Sequence, residues 1–198
     1  MVQGWKKGMM INGLLLYECF YNNGVKNGIK KEYNEDGSII FEGEYLNNEL
    51  TGKGKKYYHK NRQDKFEGEY LKGKKHGKGI KYSNKKIKIF EGEYLDDKRN
   101  GKGKPYNEEG KLLYDGDYLN SMRKIQGKEY DEKGILRFEG EYRNVIIWNG
   151  KGYNDKGQIE YEIKKGTGKG KEYKKDILIF EGEYLNGNRP TKFINWKK

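Results

Sequence analysis

One five-residue block organises the whole chain. Phe-Glu-Gly-Glu-Tyr occurs five times, beginning at Phe41, Phe66, Phe90, Phe138 and Phe180, with a near copy at Tyr114-Asp115-Gly116-Asp117-Tyr118. Successive starts lie 25, 24, 24, 24 and 42 residues apart. Self-similarity at such a period marks a repeat architecture, in which each unit buries its apolar face only against its neighbours. It constrains function too, because a chain built from one recurring unit leaves little unique sequence for an active site.

Counting from the aromatic that opens each block, position 1 is Phe or Tyr, position 3 is Gly, position 5 is Tyr, and positions 2 and 4 are acidic. Position 6 is Leu at Leu46, Leu71, Leu95, Leu119 and Leu185. Positions 12 and 14 are Gly in Gly52/Gly54, Gly77/Gly79 and Gly101/Gly103, and position 17 is Tyr at Tyr57, Tyr82, Tyr106 and Tyr130. Alternation with period two is strand patterning, so side chains 1, 3 and 5 share one face and 2 and 4 the other. Asn47-Asn48 and Asp96-Asp97 supply tight-turn residues after the first segment. Asn107-Glu108-Glu109-Gly110 and Asp131-Glu132-Lys133-Gly134 do so after the second. Each unit is therefore a β-hairpin. The expected fold is all-β: an elongated, single-layer antiparallel meander of stacked hairpins, with aromatic rings covering the strand glycines of a neighbour. Two registers are open. Position 5 against 12 sets Tyr over Gly and acid 4 against Lys 13; position 1 against 17 sets aromatic beside aromatic.

The frame spans residues 1–198 as one array, with no second domain. Residues 1–16 read as a half unit, and units start near 17, 41, 66, 90, 114, 138, about 157 and 180. Cys19 replaces the position-3 Gly of the unit at 17. The stretch from Phe138 to Ile179 is irregular: Gly150-Lys151-Gly152 falls one residue late, and Gly168-Lys169-Gly170 with Tyr173 marks a compressed second pass. Residues 180–198 read as a C-terminal cap, because Thr191, Phe193 and Trp196 replace the expected small and Tyr residues.

These residues resemble the MORN (membrane occupation and recognition nexus) family, whose motif is aromatic-x-Gly-x-aromatic, a loop, then Gly-x-Gly. The matches are Phe41/Gly43/Tyr45 with Gly52/Gly54, Phe66/Gly68/Tyr70 with Gly77/Gly79, and Phe90/Gly92/Tyr94 with Gly101/Gly103. Tyr114/Gly116/Tyr118 keeps only Gly127 of the glycine pair, and Phe180/Gly182/Tyr184 has neither. The resemblance implies β-meander arrays that dimerise or carry other proteins, some associated with phospholipid binding. Where such arrays accompany a methyltransferase or lipid kinase domain, that domain supplies the activity. The match covers nearly all of these residues, so no such activity is carried over.

Composition narrows the partner. Lys and Arg number 42 against 30 Asp and Glu, a net charge of +12. That balance either attracts anionic partners or keeps a large exposed sheet soluble. The mean hydropathy is −1.20, yet 18 Tyr and 7 Phe at fixed positions argue for folding. A single cysteine allows no internal disulfide, and no long apolar segment occurs, so the expectation is a cytoplasmic protein, peripheral at most to a membrane or cytoskeletal structure.

No catalytic, cofactor or metal residues are assigned. His59 and His76 fall at turns in different units, and the acid pairs from Glu42/Glu44 to Glu181/Glu183 recur six times, as a ladder facing lysines would. Gly166-Thr167-Gly168-Lys169-Gly170 lacks the Lys-Ser/Thr and helix of a phosphate loop. The expected function is a non-enzymatic scaffold that binds another protein, with self-association as a further expectation. It would bind through the face or an edge of the sheet, and its candidate contacts are the aromatic face, with Val145, Ile146, Ile147, Trp148, Phe193 and Trp196. The alternatives are an inhibitory binding partner, or anionic-lipid recruitment through Lys164, Lys165, Lys169, Lys171, Lys174 and Lys175. Nucleic acid is disfavoured, because the aromatics that would stack on bases are expected to be covering glycines.

Overall fold

The computed structural model describes residues 2–9, 13–58, 64–143, 146–174 and 177–188, with Asp64 and Lys174 by backbone alone. The chain is all-β and antiparallel, and divides into two compact units, residues 1–99 and 100–198. No helix among the described residues is long and apolar enough to cross a membrane.

The first unit holds β1 (Gln3–Met9), β2 (Leu15–Asn22), β3 (Val25–Tyr33), β4 (Ile39–Leu46), β5 (Glu49–Tyr57), β6 (Asp64–Leu71), β7 (Lys74–Tyr82) and β8 (Lys88–Leu95). Each strand pairs with the next in chain order, as a meander requires. Into the second unit runs β9 (Lys98–Pro105), followed by β10 (Tyr114–Leu119), β11 (Met122–Tyr130), β12 (Leu136–Arg143), β13 (Ile146–Tyr153) and β14 (Ile159–Ile163), again in chain order. A separate hairpin, β15 (Gly168–Lys174) with β16 (Ile177–Tyr184), completes it.

Two kinds of turn alternate. Tight turns at Asn47-Asn48, Lys72-Gly73, Asp96-Asp97 and Asn120-Ser121 hold both central residues at positive φ. That conformation matches the twist of the flanking strands and favours Asn, Asp and Gly. Asn and Asp add a second contact here. The Asn48 amide donates to the Lys26 carbonyl at 3.0 Å, while the Asn48 side chain accepts from the Lys26 amide at 2.9 Å. Asp97 repeats the pair on Lys75, at 3.0 and 3.1 Å. Each tight turn thus docks on the preceding hairpin. The wider turns close on their first side chain: Asn107 accepts from the Lys111 amide at 2.9 Å, and Asp131 from the Ile135 amide at 2.9 Å.

The register between hairpins sets position 5 against 12, as in Gly52↔Tyr70, with Lys53↔Glu69 beside it. Position 1 pairs with 16, as in Lys56↔Phe66, and the direct pairing of position 1 with 17 does not occur in these ladders. Positions 3 and 14 meet glycine to glycine, as in Gly43↔Gly54 and Gly68↔Gly79. These are the glycines under the rings: a Cβ on Gly79 would run into Phe66 and Tyr94.

Position 12 is glycine for a different reason. Between Gly68↔Gly79 and Glu69↔His76 the second strand carries extra residues, a bulge that places Gly77 at φ +57°. A Cβ there would also strike the Glu69 carboxylate. In the equivalent bulge at Gly52, the Glu44 carboxylate accepts from the Lys53 amide at 2.9 Å. At position 12 of the unit from Tyr114 the residue is Ile125, held at φ +69° and 61% exposed. A β-branched residue in that region is strained.

Candidate partner-binding surface

The two faces of the sheet have different chemistry. On one, acids at position 2 and lysines at position 15 alternate across strands. Glu42 stands between Lys31 and Lys55, and Lys55 reaches Glu67 at 3.0 Å. In the second unit Glu139 lies between Lys128 and Lys151, with Lys128 at 2.9 Å. Tyr57 and Tyr33 donate their hydroxyls to Glu42 and Glu18 at 2.7 and 2.8 Å. The acid pairs therefore form a cross-strand ladder. Its exposed ion pairs contribute little individually to stability.

The other face is a zigzag of edge-to-face rings. Phe66 meets Tyr70 at 5.6 Å and Tyr94 at 5.4 Å between centroids; Phe90 meets Tyr94 at 5.6 Å. In the second unit Tyr114 meets Tyr118 at 5.5 Å and Tyr142 at 6.3 Å, and Phe138 meets Tyr142 at 5.8 Å. Each ring is held by its neighbour's edge, with glycine beneath.

A third contact closes these rings from above. Position 10 lies directly across from position 5, as in Tyr70↔Lys75. It supplies a cation over a ring: Arg99 is 4.0 Å from the Phe90 centroid, Arg123 4.5 Å from Tyr114, Lys75 4.9 Å from Phe66 and Lys26 5.7 Å from Tyr45. The column was readable in the sequence as Lys26, Lys75, Arg99 and Arg123, with Leu50 and Ile147 as its apolar exceptions, but the function of these residues needed the register.

Both exceptions border cavities. Beside Leu50, about 550 Å³ opens among Phe41, Tyr45, Tyr57, Tyr58 and Tyr70; its charged lining is Glu32, Lys56 and Lys65. Beside Ile147, about 480 Å³ opens among Phe138, Tyr142, Tyr161, Tyr173 and Tyr184. Its charged lining is four carboxylates, Glu129, Asp131, Glu132 and Glu172, against Arg137 and Lys171.

The second cavity exists because the repeat is interrupted. In the unit from Phe138, Gly140 pairs with Gly150 and Tyr142 with Ile147, so the bulge is one residue shorter than elsewhere. The next unit opens at Tyr161, which pairs with Gly152 as Phe66 pairs with Lys56. Its first strand ends at Ile163, and a tight turn at Lys165-Gly166 follows at once. That turn falls where other units carry the position-5 tyrosine, so Phe138 lacks the second ring edge that Phe66 receives from Tyr94.

Polar groups around this cavity are mostly committed. Arg137 binds Asp131 at 2.8 Å and also contacts Asp155, with its guanidinium 5.5 Å from the Tyr173 ring centroid. Tyr184 donates to Glu172 at 2.6 Å, Tyr161 to the Lys171 carbonyl at 3.0 Å, and Arg123 to Glu129 at 2.7 Å. Burial pushes the Tyr161 hydroxyl up to about 12. Tyr142 differs. It is 5% exposed, and among the described residues its hydroxyl makes no well-formed hydrogen bond, although the Glu129 carboxylate lies beside it. Burial, then the nearby Glu129 charge, raises its pKa strongly.

The expected contact residues disperse. Ile146 and Ile147 line the cavity; Trp148 lies beneath Arg143, whose guanidinium is 4.5 Å from the ring centroid. Val145, Phe193 and Trp196 lie outside the described residues. Of the lysines, Lys164 contacts Glu162 at 3.1 Å, and Lys171 contacts Glu160 at 2.5 Å and Glu181 at 3.4 Å. Lys169 is opposite Glu183, and Lys165 occupies the tight turn. Lys175 and the Lys174 side chain lie outside the described residues. These lysines are interleaved with acids rather than gathered against a single anion. The aromatic face was an expected contact surface and Phe138 and Tyr184 were visible as motif residues, but the meeting of Phe138, Tyr142, Tyr161 and Tyr184 around one cavity was not foreseen.

No protein-family model matches the chain, and no curated protein matches it.

Proposed function

We propose that this chain is a MORN-type array that works as a non-enzymatic scaffold, binding a protein partner on its aromatic face. The observation that carries the reading is the cavity beside Ile147. Across most of the described array rings, glycines and cations satisfy one another, whereas beside Ile147 a concave, aromatic-walled space of about 480 Å³ stays open and, unlike the one beside Leu50, adjoins the interruption of the repeat. Concave apolar sites with a few polar groups are where side chains anchor. The opposite face favours the same reading, because its charges already pair across strands.

The test is a pull-down from source-cell lysate at low and high salt, with bound protein and lipid identified. Wild type is compared with Ile147→Arg on the aromatic face and Lys55→Gln on the charged face. A near-stoichiometric protein retained at high salt, lost with Ile147→Arg and kept with Lys55→Gln, supports the scaffold. Recovery of anionic lipid alone, released by salt, replaces it with membrane recruitment.

A further inference from the structure

We infer that the cavity beside Ile147 is a seat for an arginine side chain of the partner, so that a guanidinium supplied from outside replaces the one the repeat omits. The inference deepens the scaffold reading and rests on it for the source of the arginine.

The array itself specifies the ligand. Position 10 places Arg99 over Phe90 and Arg123 over Tyr114, at 4.0 and 4.5 Å from the ring centroids. The lysine in the equivalent seat stands further off, at 4.9 Å over Phe66. A planar, weakly hydrated guanidinium suits such a ring face better than an ammonium does. In the unit from Phe138 the position-10 residue is Ile147, opposite Tyr142 and beside Phe138 around the cavity, and among the described residues no cation lies over Phe138.

Two further observations point to a cation with hydrogen-bond donors. Four carboxylates line this cavity against Arg137 and Lys171, with Arg123 reaching Glu129 from beside it, in a chain whose net charge is +12. The buried Tyr142 hydroxyl lies beside the Glu129 carboxylate but makes no well-formed hydrogen bond among the described residues, and its oxygen can accept one. A buried polar atom left unpaired is costly, and an incoming N–H donor would relieve it. The cavity beside Leu50 is a built-in control: it has similar aromatic walls but one carboxylate against two lysines, so it should reject the same ligand.

The experiment titrates the full chain with the peptide acetyl-Gly-Arg-Gly-amide, followed by NMR. Its citrulline counterpart has nearly the same shape without the charge. The expected result is saturable shifts at Phe138, Tyr142, Tyr161 and Tyr184, with citrulline binding at least about tenfold weaker. Ile147→Arg fills the seat internally and should abolish binding. Tyr142→Phe, which removes only the hydroxyl, should weaken it severalfold. Equal binding of arginine and citrulline peptides overturns the inference, as does equal response beside Leu50 or no response at all. Retention of a protein partner at high salt by a chain that ignores the peptide would remove the arginine seat and leave the scaffold standing. Peptide binding without any protein partner would do the reverse.

Discussion

Over Phe90 the chain supplies its own cation, Arg99; at the same position in the unit from Phe138 it supplies Ile147. Around Phe66 two tyrosine edges close the ring, while around Phe138, among the described residues, only Tyr142 does. The motif residues are the same in both places, Phe-Glu-Gly-Glu-Tyr. What differs is the neighbouring unit. In a repeat protein each residue's environment is completed by the next copy, so a deletion in one copy is felt as a vacancy in the one before it. Phe66 and Phe90 are therefore closed in by their own repeat, whereas the interrupted region leaves an opening beside Phe138.

Ring removal should expose this difference most strongly. Phe66→Ala is expected to cost about 4 kcal/mol and Phe138→Ala about 1 kcal/mol less, because Phe138 has one edge-to-face partner fewer. Denaturant midpoints at equal slope measure both. Equal losses would mean that the interrupted region closes over Phe138 after all. Next in size is Gly68→Ala, at about 2 kcal/mol: the added Cβ would lie 2.7 Å from backbone atoms Gly79 Cα and Lys78 O, which cannot swing aside. In the reverse direction, Ile125→Gly should stabilise the chain by about 1 kcal/mol by relieving the bulge at position 12. A loss instead would show that the Ile125 side chain contributes packing that outweighs its backbone strain.

The smallest effect concerns alkaline pH. Burial raises the hydroxyls of Tyr70 in the first unit and Tyr161 in the second from the ordinary 10.0 to about 12. The folded state then holds these protons longer than the unfolded chain does. Their contribution to stability is complete below pH 10 and is lost as pH rises through about 12. Tyrosinate absorbance should therefore lag behind that of free tyrosine and rise together with unfolding. Tyr161→Phe should remove part of the dependence while leaving the share from Tyr70.

Much of the fold was legible beforehand. The acid, glycine and aromatic alternation identified the strands, and Asn47-Asn48, Asp96-Asp97 and Asn107 to Gly110 identified the turns. Why position 12 had to be glycine was not legible, because the bulge exists only once two strands are paired. The candidate site was less visible still. Ile146 and Ile147 stood out as an apolar run, yet Tyr161 and Tyr184 are separated from them in sequence and meet them only around the cavity. The lysine run from Lys164 to Lys171 stood out as a charge cluster, but pairing placed acids such as Glu160, Glu162 and Glu181 beside it.

By itself the sequence determined a repeating hairpin, its faces and its turn chemistry, since these depend on residue type at short range. Only the tertiary structure decided the register, the bulge at Gly77 and the cations over Phe66, Phe90 and Tyr114. It also opened the cavity beside Ile147, because an interrupted unit shows its consequence only where the next strand fails to arrive.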